Sequence, residues 1–117
     1  MIESKSAAFA PLTLIAQFGE DCITRGLTPE TARRYLSSLK IFNKYLEEND
    51  QNLIETDRNT LRNFINYLRA DRGVSQRTIE TYFAAMASFF GYLEYERYIE
   101  KNPVYEVRKR YLQKYKG

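Results

Sequence analysis

Residues 28–48 read TPETARRYLSSLKIFNKYLEE, and this stretch decides the fold. Thr28 has the side chain of a helix N-cap, Pro29 suits the first helical position, and Thr31 stands three residues beyond the cap. Tyr35, Leu39, Phe42 and Leu46 then follow at spacings of four, three and four, the signature of a 3.6-residue period. At the helical rotation per residue they fall within roughly 40° of Tyr35, forming one core stripe. The spacing predicts a long helix over 29–48, ended by Asn49-Asp50-Gln51-Asn52.

The same pattern extends in both directions. A first helix is expected near 12–25, with Pro11 in its first turn, Gly26 as its stop, and Leu14, Ile15, Phe18 and Cys22 inward. Asp57 or Thr56 caps a third helix near 57–71, which carries Leu61, Phe64, Ile65 and Leu68 and is closed by Gly73. Ser75 caps a fourth near 76–97, with Ile79, Phe83, Met86, Phe90 and Leu93 inward, and Asn102-Pro103 breaks the chain after it. Alternation is nearly absent, and 5 Gly and 3 Pro in 117 residues are too few for an all-β domain of many tight turns. The expected fold is all-α: a compact bundle of four principal helices over 1–103, then a basic linker tail over 104–117 that stays outside the core. A chain of this length buries roughly two-thirds of its unfolded surface and needs no covalent staple.

Composition removes several functions. The chain has no His, so a Ser-His-Asp triad, a Cys-His pair and His-ligated metal sites are excluded within it. Cys22 is the single cysteine, which rules out an internal disulfide and reads as a small apolar helix residue. No cofactor and no metal site are expected. No apolar run approaches the roughly 18–20 residues that span a bilayer. The opening MIESKSAAFAPLTLI lacks the basic start and long apolar stretch of a signal peptide, so a cytoplasmic protein without a membrane partner is expected.

Net charge is +3, and its distribution matters more than its total. Residues 25–44 carry five basic side chains against Glu30; residues 45–57 carry Glu47, Glu48, Asp50, Glu55 and Asp57 with no basic residue. Residues 104–117 carry Arg108, Lys109, Arg110, Lys114 and Lys116 against Glu106. On the wheel of the second helix, Arg33, Ser37, Lys40 and Lys44 fall directly opposite the core stripe, a basic row about three turns long. Such clustering favours a polyanion, or else is a solvated helix face. On the fourth helix the outward side carries Arg77, Thr81, Ala84 and Ser88, with Gly91 nearby. Small residues there admit close approach of DNA, or of another helix of the same bundle.

The run T-x-x-T-x-x-x-Y-x-x-x-L-x-x-F-x-x-x-L from Thr28 to Leu46 has a counterpart. From Ser75 the chain reads S-x-x-T-I-x-x-Y-F-x-x-M-x-x-F-F-x-Y-L, then Ile99 and Asn102-Pro103. With Leu61, Phe64 and Leu68 between them, residues 12–103 resemble the N-terminal core-binding (SAM-like) domain of tyrosine recombinases, the phage-integrase group. The resemblance implies a four-helix domain that clamps one face of duplex DNA, with the second and fourth helices at the major groove. It implies a segment after Asn-Pro that runs along DNA to a catalytic domain in cis. One position departs: members often carry Arg where this chain has Ala87. The catalytic Tyr, Arg, Lys and His set has no counterpart here, so the chain is expected not to be an enzyme. Its end at Lys116-Gly117 favours an excised domain of a longer recombinase.

The function expected is duplex DNA binding in the service of integration and recombination, by a protein monomeric in isolation. The DNA-binding residues expected are Arg33, Ser37, Lys40 and Lys44, then Arg77, Thr81 and Ser88, then Arg108, Lys109 and Arg110. Arg58 and Arg62, on the third helix, are expected to matter much less. The alternative is a helical protein-interaction module with no nucleic-acid role, which salt dependence of duplex binding would separate.

Overall fold

The computed structural model describes residues 10–112, and among them every regular element is helical. Helix α1 spans Pro11–Thr24, α2 Pro29–Glu48, α3 Arg58–Asn66, α4 Gln76–Tyr95 and α5 Val104–Val107. A short 3₁₀ turn, Leu53–Glu55, precedes α3. The expected span of the third helix, 57–71, is met in two parts, because α3 continues through a wider π turn over Tyr67–Asp71.

The caps are those of the sequence pattern. Thr28 Oγ1 accepts from Thr31 N–H at 3.1 Å, Asp57 Oδ1 from Thr60 N–H at 3.0 Å, and Ser75 Oγ from Thr78 N–H at 3.2 Å. The Thr60 bond holds the Asp57 carboxyl below the usual carboxylate range. Three helices end alike. After α1, Leu27 N–H bonds to Cys22 C=O and Gly26 N–H to Ile23 C=O. The corresponding pairs after α2 are Gln51 to Leu46 and Asp50 to Glu47, and after α4 Tyr98 to Leu93 and Arg97 to Glu94. Each motif needs one left-handed residue; Gly26 (φ 94°), Asp50 (φ 55°) and Arg97 (φ 66°) supply it.

Helix α4 is the centre of the core. Its expected stripe, Ile79, Phe83, Met86, Phe90 and Leu93, is fully buried, and so are Ala85 and Phe89 to one side. Phe18 of α1 meets Phe89 edge-on at 5.4 Å between centroids. Phe42 of α2 meets Phe64 of α3 at 4.9 Å and Phe90 at 6.3 Å, so rings from three helices interlock. Leu39, Phe42 and Leu46 are buried; Tyr35 is half-buried, stacked 6.3 Å from Phe18. Helices α1 and α2 approach closely at Gly19, where a Cβ would lie 3.1 Å from Leu36 Cδ1. Cys22 is buried and unbridged, and burial pushes its thiol pKa up.

The segment after Pro103 corrects the expectation of a tail outside the core. Val104, Val107 and Leu112 are 0, 2 and 4% exposed, and α5 packs against α3 and α4. Val104, Val107 and Tyr111 stand at i, i+3 and i+7, a short apolar stripe among charged residues. A π turn over Arg108–Leu112 widens the helix and brings Leu112 in beside them. Asn102 fastens the start: its Nδ2 donates to Ala87 C=O at 3.0 Å and its Oδ1 accepts from Val104 N–H at 2.9 Å. The rest of the expected tail, 113–117, lies outside the described residues.

Candidate nucleic-acid interface

The capped start and apolar stripe of α2 leave one face pointing away from the core, and Arg33, Ser37, Lys40 and Lys44 occupy it. All four are exposed, and none makes a side-chain hydrogen bond or ion pair among the described residues. Several other basic side chains are already engaged. Arg25, Arg58 and Lys101 have carboxylate partners, while Arg69 and Arg62 donate to amide oxygens. Along α2 the first acids past the row are Glu47 and Glu48, at the last turn. Three uncompensated cations over about three turns give a local positive potential that only solvent ions neutralise.

The α4 strip is less uniform. Arg77 and Thr81 are exposed, but the Thr81 hydroxyl donates to Arg77 C=O at 3.1 Å and is engaged by its own helix. Ser88 is half-buried, and its Oγ accepts from Arg25 Nη2 at 2.9 Å. The small residues serve two duties. Ala87 is buried beneath Asn102, and Gly91 has Asn102 Nδ2 3.7 Å from the place of a Cβ, so these two admit the α5 segment. The same two residues, with Ser88, also line a cleft of about 390 Å³ whose walls include Asp21, Arg25, Tyr92 and Tyr105. Ala87 is buried, and its carbonyl takes the Asn102 amide.

Arg25 was not among the expected site residues, although it belongs to the basic segment 25–44. It follows the last residue of α1 and is held by Asp21 Oδ2 at 3.3 Å. Its guanidinium thereby reaches across to Ser88, next to Ala87, from 63 residues away in sequence. Local patterning carries no signal for such a pair, since it depends on where the end of α1 lands on α4.

Of the three tail residues, Lys109 and Arg110 are exposed and Arg108 is half-buried. Arg110 stands beside α3, not beside the α2 row: it lines a cleft with Arg58, Arg62 and Tyr111. Among the described residues no hydrogen bond or ion pair joins the α2 row to the Arg77–Thr81–Ser88 strip. No cluster of potential metal ligands is found among these residues, and no helix there is long and apolar enough to cross a membrane.

Residues 13–116 match the family model described as the Phage integrase SAM-like domain. No curated protein and no solved structure matches the chain.

Proposed function

The chain belongs to the phage integrase SAM-like domain family, and from that premise we propose that it binds duplex DNA as the non-catalytic clamp of a site-specific tyrosine recombinase. Strand cutting and joining would be the work of a catalytic domain in cis. The observation that carries this reading is the α2 row. Arg33, Lys40 and Lys44 are exposed, unpaired and opposite the core stripe, with no acid among them. Unpaired cations release condensed counterions when they meet phosphates, whereas cations already paired with carboxylates gain much less.

Arg77 would extend the contact on α4, and Arg25 supplies the positive charge over Ser88 where position 87 offers none. The short hydroxyl groups of Ser37, Thr81 and Ser88 suit backbone or water-mediated contacts better than base reading, because they lack a bidentate fork. Affinity is therefore mainly electrostatic, and sequence preference in this chain alone is weak.

The test is duplex binding by fluorescence anisotropy across a salt series. Reversing Arg33 and Lys40 together to Glu should weaken binding and flatten the log K against log salt slope by roughly 2 units, about one per phosphate contact. Arg72→Glu with Arg97→Glu makes the same charge change outside the row and should leave most of the slope intact. Equal weakening by both pairs would mean a diffuse field, and the α2 row would not be the site. Salt-independent binding would favour a protein-interaction module.

A further inference from the structure

The α3 face carries a second cationic arrangement built differently from the α2 row. Arg58 and Arg62 lie one helical turn apart on α3, and the π turn after α5 brings Arg110 and Tyr111 against them. The Arg62 and Arg110 guanidinium carbons each lie 5.8 Å from the Tyr111 ring centroid, so two cations rest against one ring. Together these side chains line a cleft of about 460 Å³. One carboxylate is present, Glu106, and it is largely taken: Lys101 Nζ holds its Oε2 at 3.0 Å, while Arg58 Nη2 is 3.9 Å from its Oε1.

The donors of this cleft exceed its acceptors. Arg62 Nη1 donates to Asn59 Oδ1 at 3.0 Å, but Arg62 Nε is buried and has no acceptor among the described residues. A buried donor left unmade is costly, and a guanidinium edge suits an oxyanion that takes two parallel bonds. The Tyr111 hydroxyl is held below its ordinary pKa, first by the Arg110 hydrogen bond and then by that of Arg62, which reports the positive field in the cleft. Three guanidiniums around one nearly spent carboxylate leave the cleft with a positive excess that suits a phosphate group.

We propose that the Arg58–Arg62–Arg110 cleft, organised around Tyr111, grips a phosphodiester of the bound duplex, a second DNA contact on a different face from the α2 row. The proposal rests on the DNA-binding reading above. It reverses the expectation that Arg58 and Arg62 matter little, and it gives the packed tail a task beyond closing the core. Arginine geometry is part of it: a lysine at 62 keeps the charge but loses the edge-on pair of donors.

The experiment follows backbone amide resonances of the wild-type chain during titration with a short duplex, and separately with inorganic phosphate. The expected result is that the duplex shifts the amides of Arg58, Arg62 and Tyr111 together with those of the α2 row, at concentrations where inorganic phosphate shifts none of them. Arg62→Ala should lower the salt slope by roughly 1 unit, as loss of one phosphate contact does, while Arg62→Lys, which keeps the charge, should keep the slope and still weaken binding several-fold. If the α2 amides move and those of the cleft do not, this second contact is refuted while the DNA-binding reading stands. If neither set moves, the DNA-binding reading itself fails. If inorganic phosphate moves the cleft amides as readily as the duplex does, the site takes free phosphate and the assignment to DNA is overturned. If Arg62→Lys keeps the full affinity at fixed salt, the cleft acts only as a point charge, and the built site is refuted.

Discussion

Removing the side chains that bury the C-terminal segment should cost the domain a large part of its stability. Val107 and Leu112 are 2 and 4% exposed and lie beyond Pro103, where the charge count points to a solvated tail. Val107→Ala removes two buried carbons and Leu112→Ala three, at about 0.8 kcal/mol for each. Both sites are at the edge of the core, where neighbours can close over the gap, so the cavity penalty falls at the low end of its range. The double variant should therefore lose about 4 kcal/mol, against a total stability of roughly 5–15 kcal/mol for a domain of ordinary size. In urea, with a slope of about 2 kcal/mol per molar, the midpoint measured by far-ultraviolet circular dichroism should fall by about 2 M. In a thermal melt Tm should drop by roughly 15 °C. Tyr105→Ala, on the same short helix but 59% exposed, should change stability by no more than about 0.5 kcal/mol. A double variant whose midpoint moves by less than about 0.3 M at unchanged slope would refute the claim that residues 104–112 belong to the core.

Other outcomes follow from the same geometry. Asn102→Ala strands the Val104 N–H in a buried position and should destabilise by about 2 kcal/mol in urea denaturation, whereas the exposed Asn59→Ala should not. Arg97→Gly relieves a non-glycine residue at φ 66° in a helix-ending motif and should raise stability by about 1 kcal/mol, measured by thermal or urea unfolding; a loss would show that the Arg97 side chain matters there. Asp57→Ala should cost about 1 kcal/mol near neutral pH. Because the folded Asp57 carboxyl titrates below its unfolded value, that contribution is complete above the unfolded carboxyl pKa and lost as pH falls through the depressed folded one, so the two proteins should converge in acid. Cys22, buried with its thiol pKa raised, should react with a thiol reagent only at the rate at which the domain opens.

Much of the fold is legible one helix at a time, because an N-cap, a period and a stop are all local. Thr28, Asp57 and Ser75 cap as their sequence contexts imply, and the core stripes of α1 to α4 point inward. The tail is misread for a different reason. Its net positive charge reads as solvated, but burial depends on where the apolar residues stand, and Val104, Val107 and Tyr111 share a face however many cations surround them. The π turn then adds Leu112, which an ideal α-helix would turn away from that face.

The site is legible to a lesser depth, and the limit is geometric. A helical wheel fixes each side chain against its own helix's core, so it correctly exposes Arg33, Lys40 and Lys44. It does not say how the outward faces of two helices are disposed toward each other. That depends on what else surrounds each helix, and α4 is surrounded on most sides: α1 rests on Phe89, rings from α2 and α3 on Phe83 and Phe90, and the Asn102 segment on Ala87. The opening left on α4 is narrow, and its small residues must serve both that opening and the packing beside it. Arg25 reaches Ser88 through the first packing arrangement, and Arg110 reaches α3 through the last. Both cations come to their places by tertiary packing: wheels alone expose the α2 row, but they carry neither the bond of Arg25 to Ser88 nor the place of Arg110 beside α3.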